Sequence, residues 1–143
     1  MNGYPVTVRL PLLWGDMDAL GHANNARYFT WFESARIAFF TQVGIVADTP
    51  SDRGPILATT TCNFLRPVVY PAELIVGARV SRIGNTSFTM EYAVATADAP
   101  DDLCATGSGV VVLIDYTTQQ KVRVSDEIRA AIAALDGSPQ GSA

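Results

Sequence analysis

The chain has 143 residues and a formal net charge of -4. This length fits a single domain and leaves no room for a separate cofactor domain. Hydrophobic residues make up 48% of the chain and charged residues 17%, which excludes a disordered chain and predicts a packed core. The acidic excess has the wrong sign for neutralising many phosphates, so we expect no nucleic-acid partner.

Few side chains are available for metal or triad chemistry. His22 is the single histidine of the sequence, and Cys62 and Cys104 are its two cysteines. A single histidine nearly excludes a zinc site or a Ser-His-Asp triad. The two cysteines lack C-x-x-C spacing, so we expect buried free thiols and no metal. No segment approaches the roughly 20 apolar residues that span a bilayer, and the N-terminus lacks a signal-peptide pattern, so we expect a cytoplasmic protein without a membrane partner.

The first predicted elements are a strand, a turn and a long helix. Residues 5–14 alternate polar and apolar well enough for a strand that ends at Gly15, with Pro11 restricting it to a sheet edge or a bulge. Apolar residues then recur every three or four positions over 25–43, which predicts a helix that stops at Gly44. Further apolar residues lie off this stripe, so we expect the helix to be largely surrounded by other structure.

The rest of the chain predicts an antiparallel sheet. After a loop over 46–55, four segments rich in β-branched and aromatic residues predict strands, separated by residues that favour hairpins: 56–66, 73–83, 86–97 and 103–116. Ser125 predicts the cap of a C-terminal helix. This order indicates an α+β fold in which an antiparallel sheet curls around one helix, with residues 1–135 as the single domain and 136–143 as a flexible tail. Such a sheet leaves apolar surface that dimerisation commonly covers.

Chemically useful residues concentrate between positions 14 and 28. Asn24 is the predicted cap of the long helix, so the free N–H of Asn25 or of its neighbours is expected to point at the mouth of the preceding turn, where it fits an oxyanion donor. Asp18 lies close enough in sequence for its carboxylate to reach the same mouth, as a nucleophile or as a general base for water. Gly21, without a Cβ, is expected to keep the approach open.

A carboxylate and a free backbone N–H suit thioester hydrolysis. A thiolate leaves without an obligatory strong acid, because a thiol has a pKa of about 8.5. An ester or an amide would need more than one carboxylate and one oxyanion hole.

The same segment resembles the signature D-x-D-x-x-G-H-x-N-N-x-x-Y of the hotdog-fold acyl-CoA thioesterases of the 4-hydroxybenzoyl-CoA thioesterase type. The matching residues are Asp16, Asp18, Gly21, His22, Asn24, Asn25 and Tyr28. Weaker family-like features follow in the expected order: F64-L-R-P67, R82-I-G-N-T-S-F88 and G109-V-V-V-L-I-D115.

The resemblance implies a hotdog fold, a five-stranded antiparallel sheet wrapped around one long helix. It implies homodimers with active sites at the subunit interface, and often tetramers built from two dimers. It assigns the catalytic carboxylate to Asp18 and the carbonyl-activating amide to Asn25. No cofactor is implied, because coenzyme A is part of the substrate, and its phosphates are expected to meet Arg66, Arg82 and the Ser87 hydroxyl.

Several residues have simpler interpretations. Asp16 is expected to shape the turn, and His22 to position the loop or the substrate, with proton transfer as the alternative. The Tyr28 ring is expected in the core with its hydroxyl towards the pocket. Glu33 is expected to pair with Arg36, although a catalytic carboxylate on this helix is an alternative. Arg36 itself is expected to be a solvated or paired surface group.

Two other functions stay open. A hotdog hydratase or dehydratase has a His five residues after an Asp, whereas His22 lies six residues after Asp16 and four after Asp18. A non-catalytic module that binds acyl-CoA or acyl-carrier protein has no need of the unpaired Asp18 carboxylate.

Overall fold

The computed structural model describes residues 1–45 and 52–136. The helices and strands have the following bounds: β1 (Val6–Pro11), α1 (Asn25–Val43), β2 (Arg53–Phe64), β3 (Glu73–Ile83), β4 (Ser87–Thr96), β5 (Ala105–Asp115) and α2 (Asp126–Asp136). Most of the predicted loop over 46–55 and nearly all of the predicted tail over 136–143 lie outside the described residues.

The five strands form one antiparallel sheet in the order β1-β3-β4-β5-β2. β1 and β2 are therefore the two edges of the sheet. Pro11 lies at the end of β1 opposite Glu73, which agrees with the predicted edge position, because proline has no N–H to donate to a second neighbour. The predicted antiparallel architecture is confirmed.

α1 packs against one face of this sheet and forms the core with it. Its buried side chains include Phe32 and Phe39, which are fully shielded from solvent. Phe32 stacks on Tyr92 of β4 with the ring centroids 4.9 Å apart. A Cβ on Gly107 of β5 would lie only 2.6 Å from Cζ of the Phe32 ring, so the absence of a side chain at this position lets the helix approach the sheet.

The sheet leaves the β2 side of α1 open. Phe29 and Ile37 on the helix are 37% and 48% exposed, and Leu57 and Phe64 on β2 are 41% and 47% exposed. The expectation that the helix would be largely surrounded by other structure is therefore wrong for one of its sides within a single chain. An open strip of exposed apolar side chains from α1 and β2 lies along this side, although Tyr28 of α1 still contacts Phe64 of β2.

Two predicted boundaries differ from the structure by more than two residues. The first strand ends at Pro11 rather than at Gly15, and Trp14–Asp16 form a 3₁₀ turn instead. β2 begins at Arg53, because its pairing with β5 extends to Arg53 opposite Asp115.

Cys104 is buried and Cys62 only partly so, since Cys62 lies on the edge strand; both are free thiols.

The C-terminal helix begins where its cap predicts. The Ser125 hydroxyl accepts a hydrogen bond from the Ile128 N–H at 3.1 Å. α2 then packs against α1 and buries Ile132 in the core. Across residues 1–45 and 52–136, no helix has the length and apolar character needed to cross a membrane.

Candidate active site

The segment that precedes α1 folds back on itself. The Asn24 N–H donates to the Asp16 carbonyl at 2.8 Å, and the Asp18 N–H donates to the His22 carbonyl at 2.8 Å. Ala23 is buried, and its N–H donates to the Val68 carbonyl at 2.9 Å, which anchors the loop to the chain beyond β2. Because paired extended segments lie about 5 Å apart, this loop holds Asp18 near the start of α1.

Asp16 holds the two ends of this loop together. Its side chain is buried, and Oδ2 accepts a hydrogen bond from the Leu13 N–H at 2.8 Å. Oδ1 lies 3.5 Å from the Arg27 Nε on the first turn of α1. Both carboxylate oxygens are therefore committed to the scaffold, which is the structural role expected of Asp16.

Only one oxygen of the Asp18 carboxylate accepts hydrogen bonds within the described chain. Its Oδ1 accepts hydrogen bonds from the Leu20 N–H at 2.9 Å and, more weakly, from the His22 N–H at 3.4 Å. Among the described residues, no donor contacts Oδ2. The loop thus fixes the partly buried carboxylate through one oxygen and leaves the other available for chemistry.

Gly21 and His22 complete the turn. Gly21 has a φ of 84°, in the left-handed region, and a Cβ there would meet no atom within 4 Å. The backbone conformation therefore favours glycine here, and no described atom fills the space beside it. That Gly21 keeps the approach open for a substrate stays a prediction. His22 is exposed, and only its backbone is hydrogen-bonded among the described residues. Within residues 1–45 and 52–136, no group of His, Cys, Asp and Glu fits a metal ion.

The start of α1 presents an unused backbone donor. The Asn24 side chain caps the helix as predicted, since its Oδ1 accepts from the Ala26 N–H at 3.0 Å. No described residue accepts a hydrogen bond from the Asn25 N–H, and Asn25 is exposed. An unpaired carboxylate oxygen and an unpaired N–H at a positive helix end therefore belong to the same short loop.

Tyr28 lies one turn further along α1 and belongs to the core. Its ring centroid is 4.6 Å from that of Trp31 and 4.9 Å from that of Phe64 on β2. Burial raises the pKa of Tyr28 to about 12, with smaller contributions from Cys104 and Cys62. The phenol is therefore neutral under physiological conditions.

The three residues predicted to bind coenzyme A do not lie together within one chain. Arg66 follows β2, near the end of the sheet where β4 leads into β5, and its exposed side chain pairs with Asp102 at 2.5 Å. Arg82 and Ser87 lie at the hairpin that joins β3 to β4. These positions are at opposite ends of the strands, roughly 20 Å or more apart.

A family model described as the thioesterase-like superfamily matches residues 12–132 of the chain. The chain belongs to this superfamily. Its sheet and central helix form the hotdog fold, as predicted. The prediction of a thioester hydrolase is confirmed at the level of the superfamily.

Three proteins illustrate the similarity. The PA2801 protein of Pseudomonas aeruginosa is 35% identical with a TM-score of 0.84, covering 91% of this chain and 99% of that one. A thioesterase from Thermus thermophilus, solved with coenzyme A and Zn, is 31% identical with a TM-score of 0.82, covering 97% and 99%. YsmA of Bacillus subtilis (strain 168) is 26% identical over 119 residues, which are 83% of this chain and 79% of YsmA.

The burial of one charged side chain, Arg36, differs from its prediction. Arg36 was expected at the surface, yet it is 9% exposed and lies against Tyr92 of the sheet. The sequence does indicate this burial, because Arg36 is four residues from both Phe32 and Phe40 and therefore shares their buried helix face. Its ion pair with Glu33 was predicted and is present, although long at 3.9 Å.

Proposed function

We propose that the protein hydrolyses acyl-CoA thioesters to a free acid and coenzyme A, with Asp18 as the catalytic carboxylate and the Asn25 amide as the oxyanion donor. The observation that carries this proposal is the presence of two unused groups on one loop that backbone hydrogen bonds hold. Oδ2 of Asp18 lacks a donor, and the Asn25 N–H lacks an acceptor, among the residues that the structure describes. A thioester carbonyl supplies the missing acceptor and the electrophilic carbon between them.

The chemistry follows from these two groups. The Asn25 N–H binds the carbonyl oxygen and stabilises the negative charge that develops on it. Asp18 either attacks the carbonyl carbon or takes a proton from a water that does so. The carbon–sulfur bond then breaks, and coenzyme A leaves as a thiolate with a pKa of about 8.5. In the nucleophilic route, water then hydrolyses the acyl-aspartyl anhydride, which releases the free acid and restores the Asp18 carboxylate. Label from heavy-oxygen water found in the Asp18 carboxylate identifies this route.

The other loop residues support binding. His22 presents an imidazole at the same loop and positions the substrate, while Gly21 and Asn24 hold the loop and the helix start. Tyr28 supplies an aromatic wall between α1 and β2. The similar Thermus thioesterase was solved with coenzyme A, which supports the choice of ligand.

A homodimer completes the site in this proposal. Edge strand β2 has one neighbour, β5, and exposes Ile56, Leu57 and Phe64. An exposed apolar edge of this kind favours pairing with a second copy. Arg66 of one subunit and Arg82 with Ser87 of the other would then share the phosphates of one coenzyme A. Sedimentation tests this, since a clean monomer contradicts the shared site and a tetramer indicates a dimer of dimers.

The direct test incubates the protein with aromatic, short, medium and long acyl-CoAs. The proposal predicts stoichiometric release of free thiol and free acid from at least one class. Binding without thiol release would instead identify a non-catalytic module. Addition of water to an enoyl-CoA, without thiol release, would identify a hydratase.

A further inference from the structure

Arg36 is a buried cation with unused hydrogen-bond donors. One of its terminal nitrogens, Nη1, donates to the Tyr92 hydroxyl at 3.3 Å, and the other, Nη2, lies 3.9 Å from a Glu33 carboxylate oxygen. A guanidinium has five N–H donors, so most of them lack an acceptor among the described residues. Buried donors without acceptors are costly and rare. An oxygen atom from outside the chain is the simplest group to complete them.

The guanidinium borders a cavity of about 170 Å³ between α1 and β2. Arg36 and Glu33 supply its polar wall, and the other lining residues are apolar, among them Ile37 and Leu57. A cavity of about 150 Å³ in another protein holds one benzene molecule. The cavity therefore has room for the end of an acyl chain but not for coenzyme A.

An exposed stripe of α1 connects this cavity to the candidate active site. Asn25, Phe29, Glu33 and Ile37 are spaced by four residues, which places them on one helix face, and all four are exposed. The cavity residues Glu33 to Ile37 lie roughly 12 to 18 Å along the axis from Asn25. This distance exceeds the reach of a benzoyl or short acyl group and suits a medium-length chain lying in the open strip.

The charges at the cavity indicate what the far end of that chain carries. Arg36 offers donors, and Glu33 offers an acceptor within the same wall. A hydroxyl both accepts and donates, so it matches the pair. A carboxylate would meet repulsion from Glu33, and a plain alkyl end would leave the Arg36 donors unpaired.

We propose that the cavity selects medium-chain acyl groups with a hydroxyl at the far end, and that Arg36 is the selecting residue. This inference rests on the thioesterase function proposed above. The wild type is expected to hydrolyse ω-hydroxydecanoyl-CoA with a kcat/KM about tenfold or more above that for decanoyl-CoA, in line with a hydrogen bond to a charged group. A carboxylate at the same end is expected to lower kcat/KM below the hydroxyl value.

Two variants assign the selection to Arg36. Arg36→Met keeps the apolar stem without the donors and is expected to abolish the tenfold preference, mainly through KM. Arg36→Lys keeps the charge without the fork and is expected to give an intermediate preference. The matched control is Arg123→Met, which removes an exposed arginine paired with Asp126 and leaves the preference unchanged.

The outcomes separate the two proposals. Equal kcat/KM values for the alkyl and hydroxyl substrates in the wild type would overturn the selection while the thioesterase function stands, and this comparison needs no variant to fold. An unchanged preference in folded Arg36→Met would overturn the assignment to Arg36. A preference for the ω-carboxyl substrate would overturn the role given to Glu33. Absence of thiol release from every substrate would overturn the thioesterase function itself.

Discussion

The contact between α1 and the sheet at Gly107 gives the sharpest stability prediction. Replacing Gly107 by Ala adds one methyl group on the face of β5 that meets the helix. Its carbon would lie 2.6 Å from Cζ of Phe32 and 2.7 Å from the Thr61 carbonyl oxygen. Carbon atoms in contact prefer about 3.5 to 4.0 Å, so either the helix or the strand must move.

Neither neighbour can withdraw easily. Phe32 is fully buried and stacks on Tyr92 at 4.9 Å, and the Thr61 oxygen belongs to the backbone of β2. Overpacking of this kind costs about 1 to 3 kcal/mol. For a domain of this size, 1 kcal/mol lowers Tm by roughly 2 to 5 °C.

Urea unfolding followed by circular dichroism measures this cost, at one fixed protein concentration so that association does not contribute. The control is Gly15→Ala, because a Cβ on Gly15 would meet no atom within 4 Å and Gly15 has an ordinary φ. We expect the control to change the free energy of unfolding by less than about 0.5 kcal/mol. Equal unfolding midpoints for the two variants would refute the close approach of α1 to the sheet.

Three further predictions concern the loop and a thiol. Asp16→Ala removes the acceptor for the Leu13 N–H and is expected to cost about 1 to 3 kcal/mol of unfolding free energy and to lower kcat/KM; unchanged stability would contradict its scaffold role. Gly21→Ala places a Cβ at a φ of 84° and is expected to cost about 1 kcal/mol, with slower thiol release because the Asp18 loop shifts. Burial raises the pKa of Cys62 from 9.0 to about 11, so alkylation of native Cys62 near neutral pH is expected to be about 100-fold slower than in urea, as peptide mapping would show. The same shift makes the native state lose stability between about pH 9 and pH 11, since only the unfolded thiol ionises freely there.

The periodic elements were predictable because their signals are local. The apolar spacing of α1, the Asn24 cap and the hairpin residues between strands each depend on neighbours a few residues away. The antiparallel sheet followed from the order of one helix and consecutive strands. The first strand was predicted too long because Leu12 and Trp14 continue the alternation, whereas the Asp16 side chain turns the chain at Leu13.

The features that depend on distant contacts were not predictable. Arg36 was assigned to the surface by its charge, although its spacing from Phe32 and Phe40 places it on their buried face. Its hydrogen bond to Tyr92, 56 residues away, was not predictable. By contrast, the separation of Arg66 from Arg82 was implicit in the predicted antiparallel strands, because each lies at the end of its strand and β2 and β3 run in opposite directions. The unused oxygen of Asp18 became visible only once the loop hydrogen bonds to Leu20 and His22 were known.

The central claim is that the free carboxylate oxygen of Asp18 performs the chemistry, and a pair of aspartate variants tests it most directly. Asp115 accepts hydrogen bonds from Thr117 and Thr118 through one oxygen, as Asp18 does in its own turn, but it lies at the end of β5. Asp18→Asn and Asp115→Asn therefore remove the same charge from similar turns. With an acyl-CoA that the wild type hydrolyses, we predict a loss of about 100-fold or more in kcat for Asp18→Asn, with binding retained, and wild-type kcat for Asp115→Asn. Equal activity of the two variants would contradict the role of Asp18.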